Sequence, residues 1–155
     1  MKKRFSNNKG FSLVELIIVV AIMAILIGIL APQYMKFVEK SRVSADVDTI
    51  DELKKSAETA VADPDTKIAA DFKISITGGT QGAKVTGDNA ASTEISALTD
   101  LATANLKSKT YKTKTVDIEV KFEKDPNNAA IQIPKVTVTD PTGAYKSKTT
   151  TTTNP

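Results

Sequence analysis

Residues 11–31 read FSLVELIIVVAIMAILIGILA, twenty-one positions suited to hydrocarbon with one ionisable side chain among them, Glu15. At about 1.5 Å per residue, a helix of this length covers roughly 31 Å, which matches a bilayer core of about 30 Å. The basic residues Lys2, Lys3, Arg4 and Lys9 stand before the run, and such a cluster favours holding that end in the cytoplasm. Tyr34 and Phe37 follow just after Pro32, where aromatic rings sit at a membrane boundary. The anomaly is the acid. A carboxylate in such a run costs roughly 2.5–3.5 kcal/mol at mid-bilayer on insertion scales.

The rest of the chain adds no charge argument for an acidic partner. The 155 residues carry a formal +3, but the four basic residues at the tip account for it. Without them 17 basic residues face 18 acidic ones. The chain contains neither cysteine nor histidine, so disulfides, thiolate metal sites, cysteine nucleophiles and the usual proton shuttle are excluded. With no nucleophile–base arrangement in view, no enzymatic activity, cofactor or metal is expected.

A plain signal anchor explains the run but neither Glu15 nor the abrupt Lys9-Gly10-Phe11 junction. A cleaved secretory signal needs a small-x-small site, yet Ala31 has Ile29 two positions before it and Pro32 directly after. The string KGFSLVELIIVVAIMAILIGILAPQY closely resembles the N-terminus of type IV prepilins. The resemblance covers residues 9 to about 34 and does not extend to the C-terminal two-thirds. It implies that Gly10 ends a leader and that a peptidase cuts before Phe11, which is then N-methylated. Glu15 becomes the fifth mature residue, and Gly28 and Pro32 fall where members carry helix-weakening residues. It also implies a helical homopolymer as the product, a surface filament for adhesion, motility or biofilm. Its implied partners are the chain itself, a prepilin peptidase/methyltransferase, a pilus assembly platform and the cytoplasmic membrane before assembly.

Chemistry gives these residues reasons. Cleavage after Gly10 frees an amine on Phe11 among apolar helices, and an unpaired ammonium or carboxylate is expensive there. Pairing Glu15 with the amine of a neighbouring chain offsets both costs and registers one subunit on the next. Glycine at position 10 permits close approach of backbone to an active site. Pro32 cannot donate to the Gly28 carbonyl and Gly28 is a poor helix former, so the two mark a weak place in the helix.

Beyond the run the pattern turns amphipathic. Val43, Val47, Ile50, Leu53, Ala57 and Ala60 recur at helical spacing, and Asp63-Pro64 supplies a stop because the residue before proline avoids the α region. One helix is expected over residues 11–62. The acids Asp46, Asp48, Asp51 and Glu52 between the apolar positions read as a solvated face, since no calcium-loop pattern is present. Next, DFKISITGG predicts a strand, Gly82 to Asn89 a loop, and STEISALTDLATANL a short helix capped by Ser92. TVDIEVKFEK is the clearest strand, and AIQIPKVTVT returns antiparallel after Asp125-Pro126-Asn127-Asn128. Pro134 there implies a bulge or an edge. Asp140-Pro141-Thr142-Gly143 makes a turn, with Tyr145 expected in a last short strand.

The expected architecture is therefore α+β: a long helical spine carrying an antiparallel β-sheet head. Its parts are a leader (1–10), an apolar half-helix (11–37), an amphipathic half-helix (38–62), the head (63–148) and a loose threonine-rich tail (149–155). Missing cysteines depart from the disulfide-closed C-terminal loop of many Gram-negative pilins. Lys107, Lys109, Lys112 and Lys114 cluster around Tyr111; lysines blunt exposed strand edges, and that reading is preferred to phosphate contact with nucleic acid. Two other functions compete with the pilus. One is a pseudopilin of a type II secretion or competence system, whose C-terminal aspartate-rich calcium loop has no counterpart here. The other is a signal-anchored surface protein that never polymerises.

Overall fold

A computed structural model of the chain describes residues 10–63, 65–66, 68, 70–128, 132–146 and 150–151. The expected leader therefore lies outside the described residues, except for Gly10. The elements are α1 (Leu13–Ala62), β1 (Phe72–Thr77), β2 (Ala83–Gly87), α2 (Asn89–Leu98), β3 (Thr115–Lys124), β4 (Gln132–Thr139) and β5 (Thr150–Thr151). The chain divides into a first unit, Met1–Val38, and a second, Glu39–Pro155.

In the first unit the helix is apolar on every side and buries none of them: its large side chains, from Leu13 to Phe37, are about half exposed or more. It is long and apolar enough to cross a membrane. Pro32 lies inside it, and the helix runs through Gly28 and Pro32 without a break.

The second unit is an antiparallel sheet of order β2-β1-β3-β4-β5. Its core joins Ile50, Leu53, Ala57 and Ala60 of α1 to Phe72, Ile74 and Ile76 of β1, Val116, Ile118 and Val120 of β3, and Val136 and Val138 of β4. Period 3.6 on the helix and period 2 on the strands aim both apolar sets at one core. The outer face of the sheet is polar: Lys73 and Ser75 both bond Asp117 (3.3 and 2.6 Å), and Thr77 meets Thr115 (2.8 Å).

Four expectations change. Residues 83–87, expected as loop, form β2, because the turn at Gly78–Gly82 folds AKVTG back along β1. The short helix starts earlier and ends sooner. Asp88, not Ser92, is its N-cap, accepting from Ala90 N–H at 2.8 Å. It stops at Leu98, where the Thr99 backbone turns extended (φ −148°, ψ 150°) while its N–H still donates to the Ile95 carbonyl. Beyond it the carbonyls of Leu101 and Ala104 accept from Ala83 and Gly82 N–H (both 2.8 Å). The β3–β4 register is unbroken from Asp117↔Thr139 to Lys124↔Gln132, so of the two accommodations expected for Pro134 the bulge is excluded. On the other side of β4 the described pairs with β5 involve Lys135 and Val136 and leave Pro134 at an edge. Ile133 falls on the face opposite Val136 and Val138, which accounts for the phase slip. Finally, Tyr145 lies outside any strand, and the last strand is β5 within the tail, pairing Lys135↔Thr151 and Val136↔Thr150.

Gly78 carries no side chain for a visible reason. A Cβ there would overlap the Tyr111 carbonyl, because the turn after β1 lies flush on the turn before β3, with Gly78 N–H donating to Lys114 O at 2.9 Å. Gly78→Ala is expected to destabilise the head by about 1–3 kcal/mol, the cost of overpacking; a urea midpoint equal to wild type would contradict this packing.

The loop after β4 closes on Asp140. Its carboxylate accepts from Tyr145 N–H (2.8 Å), Thr142 N–H (2.8 Å) and the fully buried Tyr111 hydroxyl (2.9 Å). Burial opposes the charge on Asp140, but these hydrogen bonds outweigh it and hold the carboxyl below its ordinary range. Burial, reinforced by Asp140, pushes the Tyr111 phenol up to about 12. A phenol whose folded pKa is raised contributes stability that is complete below the unfolded value near 10, and is lost as pH climbs towards about 12. The carboxyl works in the opposite sense: its contribution is present above the ordinary carboxylate range and lost as pH falls below it. Denaturation midpoints measured against pH should fall in alkali above about 10, and Tyr111→Phe should flatten that limb. An unchanged alkaline limb in the variant would disprove the assignment.

Candidate functional site

The junction at the start of α1 carries the sequence's one apolar-run acid. Phe11 is 92% exposed and precedes the helix. Ser12 is positioned as the N-cap: its carbonyl accepts from Leu16 N–H (3.2 Å) and its hydroxyl from Val14 N–H (3.4 Å). Glu15 reaches back, its Oε2 accepting from Ser12 N–H at 2.8 Å. This is a capping box, two donors of the first turn satisfied reciprocally, and the carboxylate also complements the helix dipole. The acid is thus held at the helix end, directly before the unbroken apolar stretch that begins at Leu16. Sequence reasoning assigned Glu15 an intermolecular partner and missed this local one. The S-x-x-E spacing ahead of an apolar run was the available signal.

Of the residues singled out from sequence, Gly10, Phe11 and Glu15 lie together within this junction. Gly28 and Pro32 lie farther along the same helix. A Cβ on Gly10 or Gly28 would meet nothing within 4 Å, so within the single chain neither glycine is required for packing.

A second cluster joins α1 to the turn before β3. Asp46, expected on a solvated face, is 2% exposed. Its two oxygens accept from Lys107 N–H (2.7 Å) and Ser108 N–H (2.8 Å). Two turns earlier, Glu39 Oε1 accepts from Lys109 N–H (2.6 Å) and Thr110 N–H (3.2 Å). Four successive amides are thereby claimed by two carboxylates on one helix face. Asp51 is likewise engaged, accepting from the Tyr145 hydroxyl at 2.7 Å. The polar-face reading of these acids is corrected: two of the four are structural fasteners, because a turn without regular pairing still has amides to satisfy. Asp48 and Glu52 remain exposed. Among the described residues, no three acidic side chains are placed to hold a metal ion.

Comparison with known proteins bears on the junction. Residues 5–31 match the family described as the prokaryotic N-terminal methylation motif. The chain is 43% identical over 58 residues to a type IV major fimbrial protein FimA of Dichelobacter nodosus, covering 37% of each chain. It is 44% identical over 54 residues to a fimbrial protein of Pseudomonas aeruginosa, covering 35% of each. The matched stretch spans just over a third of those relatives' length. No solved structure matches. These findings place the likeness in the N-terminal segment, where they agree with the resemblance read from residues 9–34.

Proposed function

We propose that this chain is the structural subunit of a type IV pilus, made as a precursor in the cytoplasmic membrane, trimmed after Gly10, N-methylated at Phe11 and polymerised through its apolar helix into a surface filament. The observation that carries this reading is the junction itself: an acid at the fifth position after Gly10, at the head of a helical stretch whose large apolar side chains are left exposed as far as Phe37, inside the matched methylation motif. An exposed apolar cylinder needs either lipid or other copies of itself. A membrane meets that need for the precursor and a helical bundle of subunits meets it for the product.

Trimming changes the chemistry at Glu15. In the precursor the carboxylate caps its own helix. The amine freed on Phe11 supplies a cation at the same depth, and a charge-assisted pair between neighbouring chains fixes their axial register. Gly28 and Pro32 leave the helix with a missing hydrogen bond, which lets this stretch unwind when the filament is pulled. The prepilin peptidase/methyltransferase and an assembly platform are the required partners. Shear fractions from cells making this protein test the reading: long filaments built of the chain are expected. Subunits confined to the membrane, with short periplasm-spanning stubs or none, would favour a pseudopilin or a tethered monomer.

A further inference from the structure

Resting on that filament reading, we propose that the lysine-bearing turn 107–114 of one copy docks in the acidic groove flanked by Asp48, Asp51 and Glu52 on the next copy. The turn is built for contact. Its backbone amides at 107–110 are fastened to Asp46 and Glu39, and its one aromatic, Tyr111, is fully buried beneath it. The side chains of Lys107, Lys109, Lys112 and Lys114 are left pointing to solvent, all exposed. Other lysines of this unit have acidic partners, as in Lys54–Glu58, Lys73–Asp117, Lys121–Glu119 and Lys135–Glu123. None of the four turn lysines belongs to an ion pair among the described residues.

Their complement is on the same chain. Residues 39–155 contain 16 basic and 17 acidic residues, so a concentration of four cations on one turn leaves an excess of acid elsewhere. Part of that excess lines a groove of about 340 Å³ along α1, formed by Asp48, Asp51, Glu52, Lys55 and Thr59 with Leu98 of α2. Asp48 and Glu52 are exposed and outside the ion pairs of the described residues. Leu98, 50% exposed, is the large apolar side chain that this unit leaves open among its described residues. The groove thus offers acid at its walls and an apolar contact for lysine stems. Two unlike, complementary patches on one chain make a head-to-tail contact, which repeats without closing into an open helical polymer. Each exposed ion pair contributes little alone; the set suppresses wrong registers and steers approach. A nucleic acid is the poorer fit, since the turn presents no exposed ring on which a base could stack.

The test uses the full chain in cells that assemble it. Four forms are compared: wild type, Lys109→Glu with Lys112→Glu, Asp48→Lys with Glu52→Lys, and all four changes together. Sheared filament yield is measured beside the N-terminal mass of the cell-associated subunit. Each double variant should lose at least about tenfold in yield with trimming unchanged, roughly what two or three weak ion pairs supply, and the fourfold variant should regain most of it. A variant that merely misfolds would not be rescued by the second pair of changes. Full yield from both double variants, or no rescue in the fourfold one, would overturn the contact while leaving the filament reading intact. Absence of filaments from the wild type would instead overturn the filament reading itself, and this contact with it. Salt-sensitive capture of duplex DNA by wild-type filaments, lost in Lys109→Glu with Lys112→Glu at unchanged yield, would assign the turn to nucleic acid and also overturn the contact.

Discussion

Glu15→Ala should insert in the membrane as wild type does and yield at least about a hundredfold fewer filaments, since a lone buried charge costs several kcal/mol per subunit. Insertion itself becomes easier when an acid leaves the apolar run. Assembly becomes harder because the amine on Phe11 is carried among apolar helices without a counter-charge. The capping box complicates that substitution, because alanine also removes the acceptor of Ser12 N–H, 2.8 Å away in the precursor. Glu15→Gln separates the two roles. Its amide oxygen still accepts from Ser12 N–H, but it carries no charge. If pairing with the amine governs growth, the glutamine variant fails to about the same degree as alanine. Normal filaments from Glu15→Gln would reduce Glu15 to a helix cap, and intermolecular charge pairing would have to be abandoned.

The second large effect belongs to Asp46. This carboxylate is buried and holds Lys107 and Ser108 N–H. Hydrogen bonds to charged groups contribute about 1.5–3 kcal/mol each. Asp46→Ala removes both and leaves the Ser108 amide without its acceptor in a buried position. A loss of about 3 kcal/mol in head stability is expected, read as a lower urea midpoint at an unchanged slope. Asp46→Asn keeps one acceptor oxygen and should lose roughly half as much. A midpoint for Asp46→Ala within experimental error of wild type would mean that the turn is held by its core residues Leu106 and Tyr111 instead. Because the turn carries the four lysines of the proposed subunit contact, Asp46→Ala should also lower filament yield, through disorder of the turn rather than any change in its charge.

The sequence carried the parts governed by repeating physical rules. The apolar run, the helical spacing from Val47 to Ala60, and the alternation in β1 and β3 each express one period, and the structure follows them. Asp63-Pro64 marked the end of α1 to the residue. What escaped was decided by contacts across long sequence separations. Nothing in AKVTG announces a strand; β1 makes it one by pairing. The helix expected to continue past Leu98 ends where Thr99 turns extended, and the stretch after it bonds to the Gly82 and Ala83 amides from the other side of the turn, which no local propensity records. Asp46 looked like any acid on a polar face because the four amides that surround the fastening carboxylates come from sixty to seventy residues away. β5 is a two-residue strand in a threonine tail whose composition suits disorder as well as pairing.

At the junction the position was different. Gly10, Phe11 and Glu15 stood out because their spacing is specific, and the match over residues 5–31 covers them. The capping box was local and still passed unnoticed, since an acid in an apolar run draws attention to its cost before its hydrogen bonds. That oversight alters the account. Glu15 already accepts from the Ser12 amide within the single chain, so the assembly proposed above requires an exchange of partners, from that amide to the new amine, rather than the rescue of a bare charge.

The mass of the N-terminal peptide from subunits sheared off the cell surface tests this account most directly. A peptide beginning at Phe11 and carrying one added methyl group is the predicted result. A peptide that retains residues 1–10 would contradict it, for then no free amine exists beside Glu15 and the filament has no charge pair to set its register.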